Sequence, residues 1–200
     1  MKKFMIMVAV ATMAAMSVNA QSNEPRNEIS FSYGYGISTV GDGLGSTVGY
    51  GLFDGLIGRN SANVKRSGTF GVEYFRHLNN PKLAIGGIAT FAQYSGDVMY
   101  NGVKESDRTR QYFTFMPAIK YYYINNNHFG LYSKAALGLT YMNASVKDAQ
   151  TLKSNSDSKL FLAYQATLLG AEAGSKNFRG FIEAGVGEQG FVSAGIRIKF

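Results

Sequence analysis

Eight of this chain's charged residues sit at alternate positions within apolar or small-residue runs. Three are carboxylates, Glu28, Glu73 and Glu183. Five are bases: Lys120, Lys134, Arg179, Arg197 and Lys199. In an extended chain, residues two apart share a face, so each of these points away from the apolar residues flanking it. Buried charges persist only when paired and hydrogen-bonded. Three acids and five bases on one enclosed face therefore predict an ionic network. Catalysis finds less support. It would need a nucleophile with a positioned base, most often His. The two histidines, His77 and His128, lie beside turn-forming clusters. Glu188 stands near Ser193, but no pattern marks them as a pair. No His/Asp/Glu cluster has metal-ligand spacing, and there is no cysteine. Gly34-Tyr35-Gly36 and Gly41-Asp42-Gly43-Leu44-Gly45 lack the full glycine pattern of a nucleotide loop. No catalytic, cofactor or metal residues are assigned.

The elements that must position these charges are strands. Val192, Ala194, Ile196, Ile198 and Phe200 share one face; Ser193, Gly195, Arg197 and Lys199 share the other. The same period of two recurs in eight segments: 28–37, 68–77, 83–96, 109–124, 128–145, 159–171, 177–187 and 190–200. Several reach or exceed the roughly 9–11 residues of a tilted membrane-spanning strand, against about 5–6 for a strand of a soluble sandwich. Asn79-Asn80-Pro81, Asn125-Asn126-Asn127 and Gly174-Ser175-Lys176 are short turns, because Asn and Gly tolerate positive φ and Pro fixes φ. Longer polar connections are expected at 38–67, 97–108 and 146–158, and a short one at Glu188-Gln189. Short–long alternation suits a barrel with tight periplasmic turns and longer outer loops.

The beginning of the chain reads as a targeting segment. Lys2 and Lys3 precede an uncharged apolar run, Phe4 to Met16, and then Val18-Asn19-Ala20. This is the pattern of a cleaved secretory signal. We expect a signal peptide over 1–20, a short periplasmic segment over 21–27 and a barrel over 28–200. Without Lys2 and Lys3 the formal charge of +7 falls to about +5. The positives are dispersed, so no nucleic-acid partner is expected.

The apolar face of the eight segments is long and almost free of charge. It includes Phe31, Phe70, Ile85, Phe115, Leu137, Leu162 and Ile182. Aromatics crowd toward the segment ends, among them Tyr121, Tyr122, Tyr123, Phe129 and Phe178 near the short turns. Two aromatic girdles flanking an aliphatic band are expected at bilayer interfaces, and a closed barrel leaves no unpaired edge in lipid. The fold expected is an all-β, closed, antiparallel eight-stranded transmembrane barrel. Its interior is just wide enough for side chains to fill, so the inward charges read as an ionic plug.

The signal, the alternating strands and the final Ile196-Arg197-Ile198-Lys199-Phe200 resemble small outer-membrane β-barrel proteins of the OmpX and OmpA-barrel type. The resemblance covers roughly 28–200. It implies location in the bacterial outer membrane, with membrane lipid and the barrel-assembly machinery as partners. It also implies that Phe200 belongs to the assembly signal. Within the first long loop, Leu44, Val48, Leu52, Phe53, Leu56 and Ile57 recur at helical spacing. Leu52, Phe53, Leu56 and Ile57 are candidates for an interaction surface toward an extracellular partner. The function expected is structural or surface interaction through the outer loops. The alternatives are a lipid-modifying enzyme, disfavoured by histidines at the periplasmic turns, and a small channel, disfavoured by a filled lumen.

Overall fold

A computed structural model describes residues 25–35, 59–100, 103–148 and 154–200. Every regular element among them is a strand: β1 (Asn27–Tyr35), β2 (Arg59–His77), β3 (Leu83–Tyr100), β4 (Val103–Asn125), β5 (Phe129–Asp148), β6 (Ser154–Gly174), β7 (Phe178–Gly187) and β8 (Val192–Lys199). Each pairs antiparallel with its sequence neighbour, and β1 pairs with β8. Glu28 lies opposite Lys199 and Ile29 opposite Ile198 in that closing seam. The result is a closed eight-stranded barrel.

Its polarity is inverted relative to a soluble barrel. Leu137 is 74% exposed and Leu162 83%, with Phe70, Phe115, Leu160, Leu168 and Ile182 also on the outside. Glu28, Glu73, Lys120, Lys134, Arg179, Glu183, Arg197 and Lys199 are all buried. An exterior of this kind is solvated by hydrocarbon and not by water. Tyr74, Tyr121, Tyr123, Phe129 and Phe178 face outward at the short-turn end, which forms one aromatic girdle. Tyr122 departs from the expected placement. It is fully buried and points into the lumen, because it keeps the inward parity of Lys120 two residues before it.

The long connections also differ from expectation. β3 and β4 are paired out to Tyr100 and Val103, so 97–108 is mostly a hairpin. β5 and β6 are paired out to Lys147 and Ser154, so little of 146–158 is loop. β2 begins at Arg59 and pairs with Tyr100, well inside the expected 38–67 connection. Polar composition marked these stretches as loops, yet cross-strand pairing carries them as sheet. Strands β2 to β6 hold 19, 18, 23, 20 and 21 residues, whereas β1, β7 and β8 hold 9, 10 and 8. Five strands thus outrun the closed wall as an open sheet. Segment 1–20 and the apolar loop set Leu52, Phe53, Leu56 and Ile57 lie outside the described residues.

Candidate functional site

Among the described residues, the barrel interior gathers a dense set of ionisable groups, and β8 sets its centre. Arg197 is fully buried on the inward face of that strand. Its guanidinium reaches four carboxylates. NH1 pairs with Glu172, Nε lies 3.7 Å from Glu28, and NH2 lies 3.6 Å from Glu73 and 3.8 Å from Glu183. The planar fork of five donors suits such a hub. Its Nε–H also donates to Ser30 Oγ at 2.8 Å and NH2 to Tyr132 Oη at 3.1 Å. Phe181 and Tyr132 lie against the guanidinium, ring centroids 4.5 and 4.9 Å from Cζ, a cation–π arrangement.

Around this hub the acids divide into two groups. Glu28 and Glu172 form the group toward the short turns. Glu28 pairs with Lys120 and accepts from Tyr122 Oη at 2.9 Å. Glu172 takes Arg179 NH1 at 2.6 Å and Lys199 Nζ at 2.5 Å. Glu73 and Glu183 form the group away from the short turns and share Lys134. Tyr132 Oη donates to Glu183 at 2.7 Å, and Gln189 Nε2 donates to Glu73 at 2.8 Å. Lys120 Nζ sits 3.9 Å from the Phe75 ring centroid.

All eight charged residues singled out in the sequence come together in this network, but the partners differ from simple strand adjacency. Glu183 pairs with Lys134 and not with Arg179, which turns to Glu172. Glu28 faces Lys199 in register, yet that contact is 3.9 Å, and Lys120 from across the lumen is closer. A narrow barrel brings opposite walls within side-chain reach, so nearest neighbours in the sheet are not the nearest charges.

Four participants escaped the sequence reading. Glu172 fell just past the expected strand end at 171, whereas β6 continues to Gly174. A register shift between Thr167 and Leu169 also turns both Leu168 and Leu169 outward. That bulge reverses the parity and carries Glu172 inward. Tyr132 enters the lumen because Gly170 opposite it has no side chain; a Cβ there would sit 2.4 Å from the Tyr132 ring. His77, read as a turn residue, is buried with Nε2 3.3 Å from Glu28 and Nδ1 3.3 Å from the Pro81 carbonyl oxygen. Gln189 is 1% exposed. Positive φ at Gly187 and Gly190 (130° and 87°) lets the β7–β8 turn fold Gln189 inward, where its backbone N–H donates to Gln165 Oε1 at 2.8 Å. His128 remains exposed at the β4–β5 turn. Ser193 Oγ faces Glu183 at 3.3 Å. Phe200 closes the seam, exchanging backbone hydrogen bonds with Asn27 at 2.8 Å.

Four acids thus neutralise most of five bases in an enclosed space. Chemically this arrangement fills and pins the barrel. No known family matches the chain, and no curated protein does. Among solved structures the chain is similar to Ail, the attachment invasion locus protein of Yersinia pestis. The likeness is at 20% identity and a TM-score of 0.44, covering 88% of this chain and 95% of that one. A structure of Ail in complex with the heparin analogue sucrose octasulfate is similar at 20% identity and a TM-score of 0.42, covering 87% and 95%.

Proposed function

We propose that this protein is an outer-membrane barrel whose task is to hold a rigid β-sheet outside the cell as a structural or interaction surface. One observation carries this reading: strands β2 to β6 run as a paired sheet far past the wall that β1, β7 and β8 close. About 9–11 residues suffice to span the membrane, so roughly half of each long strand serves another purpose. The lumen network supports the same reading, since it rigidifies the base from which the sheet projects.

The projecting sheet has a particular chemistry. β7 pairs with β6 only from Gln165 onward. Among the described residues no strand flanks β6 on that side from Ser154 to Ala163. A strand edge offers unpaired N–H and C=O groups to an incoming chain, the basis of recognition by strand addition. Asp157 and Lys159, exposed and 3.8 Å apart, place charges on this edge, which discourages indiscriminate pairing. A partner with an extended segment fits it.

The absence of cysteine makes topology testable with single-cysteine variants. Ser158→Cys on intact cells is expected to react with a membrane-impermeant maleimide, and Asn79→Cys, at a short turn, only after the outer membrane is opened. Equal labelling of both on intact cells would overturn the orientation. The edge is tested by Asp157→Pro and Ser158→Pro. Adjacent N–H groups point to opposite sides of the strand. One substitution therefore removes a β5–β6 ladder bond, and the other removes only a free edge donor. The second should fold normally and lose partner adhesion. Unchanged adhesion in a folded edge variant would sink the strand-addition reading.

A further inference from the structure

The two ends of the lumen are built differently. Toward one end Gln189 turns inward onto Glu73, and Ala92, Tyr112 and Met142 pack together. The other end opens into a recess of about 210 Å³ among the three short turns, lined by His77, Asn125, Asn126, Asn127, Lys176, Arg179 and Lys199 along with two prolines. A water molecule takes about 30 Å³ of liquid, so the recess has room for a group several waters in size. No acidic side chain lines it among the described residues.

The ionic network extends to the recess. In the group beside the recess, Glu28 and Glu172 meet Lys120, Arg179, Arg197 and Lys199. In the other group, Glu73 and Glu183 share Lys134 and the same Arg197. The recess itself is lined by the bases Lys176, Arg179 and Lys199 and, among the described residues, by no carboxylate. Glu28 and Glu172 are both fully buried behind the lining, reached through His77 and Lys199. The rim adds exposed Arg26 and Lys82.

We propose that this recess binds a phosphate group, either as the free anion or carried on a lipid headgroup. Three bases, Lys176, Arg179 and Lys199, line a partly enclosed space that no described carboxylate lines, and such a concavity of one sign concentrates an anion. The residues divide the work. Arg179 is held by Glu172, by the Asn126 carbonyl at 2.6 Å and by the Ser175 carbonyl at 3.2 Å; it supplies fixed charge. Lys199 Nζ carries three donors, with Glu172 at 2.5 Å and Glu28 at 3.9 Å, so it can turn a donor to the anion. The amide side chains of the Asn125–Asn127 turn supply neutral donors, and Lys176 supplies charge at the mouth. The tyrosine girdle on the outside of the same end marks headgroup level, so either source of phosphate can reach it.

The test uses the whole barrel in dodecyl maltoside micelles, which carry no phosphate, titrated with inorganic phosphate and followed by backbone amide NMR shifts. Saturable shifts should cluster at His77, Asn125 to Asn127, Lys176 and Arg179. Lys176→Gln, on the exposed rim and compatible with folding, should weaken the apparent affinity at least threefold. Lys159→Gln, on the far side of the membrane, should leave it unchanged. Phosphatidylglycerol added to the micelles separates the sources. Saturable shifts at the same amides on adding the lipid, with weakened phosphate binding, identify the headgroup. Spectra that the lipid leaves unchanged identify the free anion. Shifts that do not saturate, that spread equally to exposed bases such as Lys159, or that survive Lys176→Gln unchanged would overturn the proposal.

Discussion

Arg197 and Glu172 show how one residue holds the others in place. Removing one member of a buried ionic set leaves its partners desolvated and unpaired, at a cost of about 3–5 kcal/mol. Glu172 meets Arg197, Arg179 and Lys199, so Glu172→Gln should destabilise the barrel by about that amount, read as a lower midpoint in urea unfolding from lipid vesicles. Exposed pairs behave otherwise. Asp157 and Lys159 are solvated, and Asp157→Asn should shift the midpoint by less than about 1 kcal/mol. Space matters as much as charge. Gly170→Ala would place a methyl 2.4 Å from the Tyr132 ring, pushing that ring off Glu183 and from beside Arg197. Overpacking of this kind costs about 1–3 kcal/mol. Gly180→Ala, with nothing within 4 Å of the new Cβ, should be nearly neutral in the same assay. Equal effects of the two glycine substitutions would show that the lumen is not tightly packed.

At the scale of the strand, the two faces carry different rules. Leu137 points outward and is 74% exposed, while its neighbour Ala136 is buried inside. Leu137→Arg should cost about 2–4 kcal/mol if it lies near the bilayer midplane, and Ala136→Ser less, because one hydroxyl among Phe75, Ile88, Met116 and Ala163 is less costly than a full charge in hydrocarbon. Refolding into lipid vesicles measures both, and similar losses would mean the faces are misassigned. This much was legible in the sequence because a strand's side chains alternate strictly, so Leu137 and Lys134 declare their faces by parity alone. Glu172 did not, because the bulge at Thr167/Leu169 breaks the parity and no residue type announces a bulge. Tyr122 was obscured for a different reason: in the run Tyr121-Tyr122-Tyr123 chemistry is uniform, and only position separates two lipid-facing rings from one that donates to Glu28. The outer strand extensions were hidden by composition. Residues such as Lys104, Glu105, Ser106 and Asp107 read as loop, yet β4 begins at Val103 because neighbouring strands supply its hydrogen bonds. Polar strands outside the membrane need only pairing, not an apolar face.

The whole molecule is a closed wall around a solid core, and this decides what can pass through it. A conducting path needs a continuous column of water, whereas Arg197, Tyr122, Tyr132, Phe75, Lys120 and Ile88 are all essentially inaccessible to solvent inside the barrel. They come from β2, β3, β4, β5 and β8, so the obstruction is built by the wall itself and does not depend on any one loop. Opening it would mean separating Arg197 from carboxylates on four strands at once, and the charges released would lie in a space too narrow to hydrate them fully. Reconstituted protein in a planar bilayer should therefore show little steady conductance. Single substitutions at the centre, such as Lys120→Met, should change stability without creating a pore, since aromatic rings still fill the section. A graded response is expected only when bulk is removed. The double variant Tyr122→Ala with Tyr132→Ala takes away two adjacent rings 5.2 Å apart and leaves a wet gap beside the charges. That variant should show small, flickering currents while remaining folded by its heat-modifiable mobility on gels. Large, stable current steps from the unmodified protein would mean that the ionic core opens as a unit, and would move the functional reading from a rigid support to a small channel.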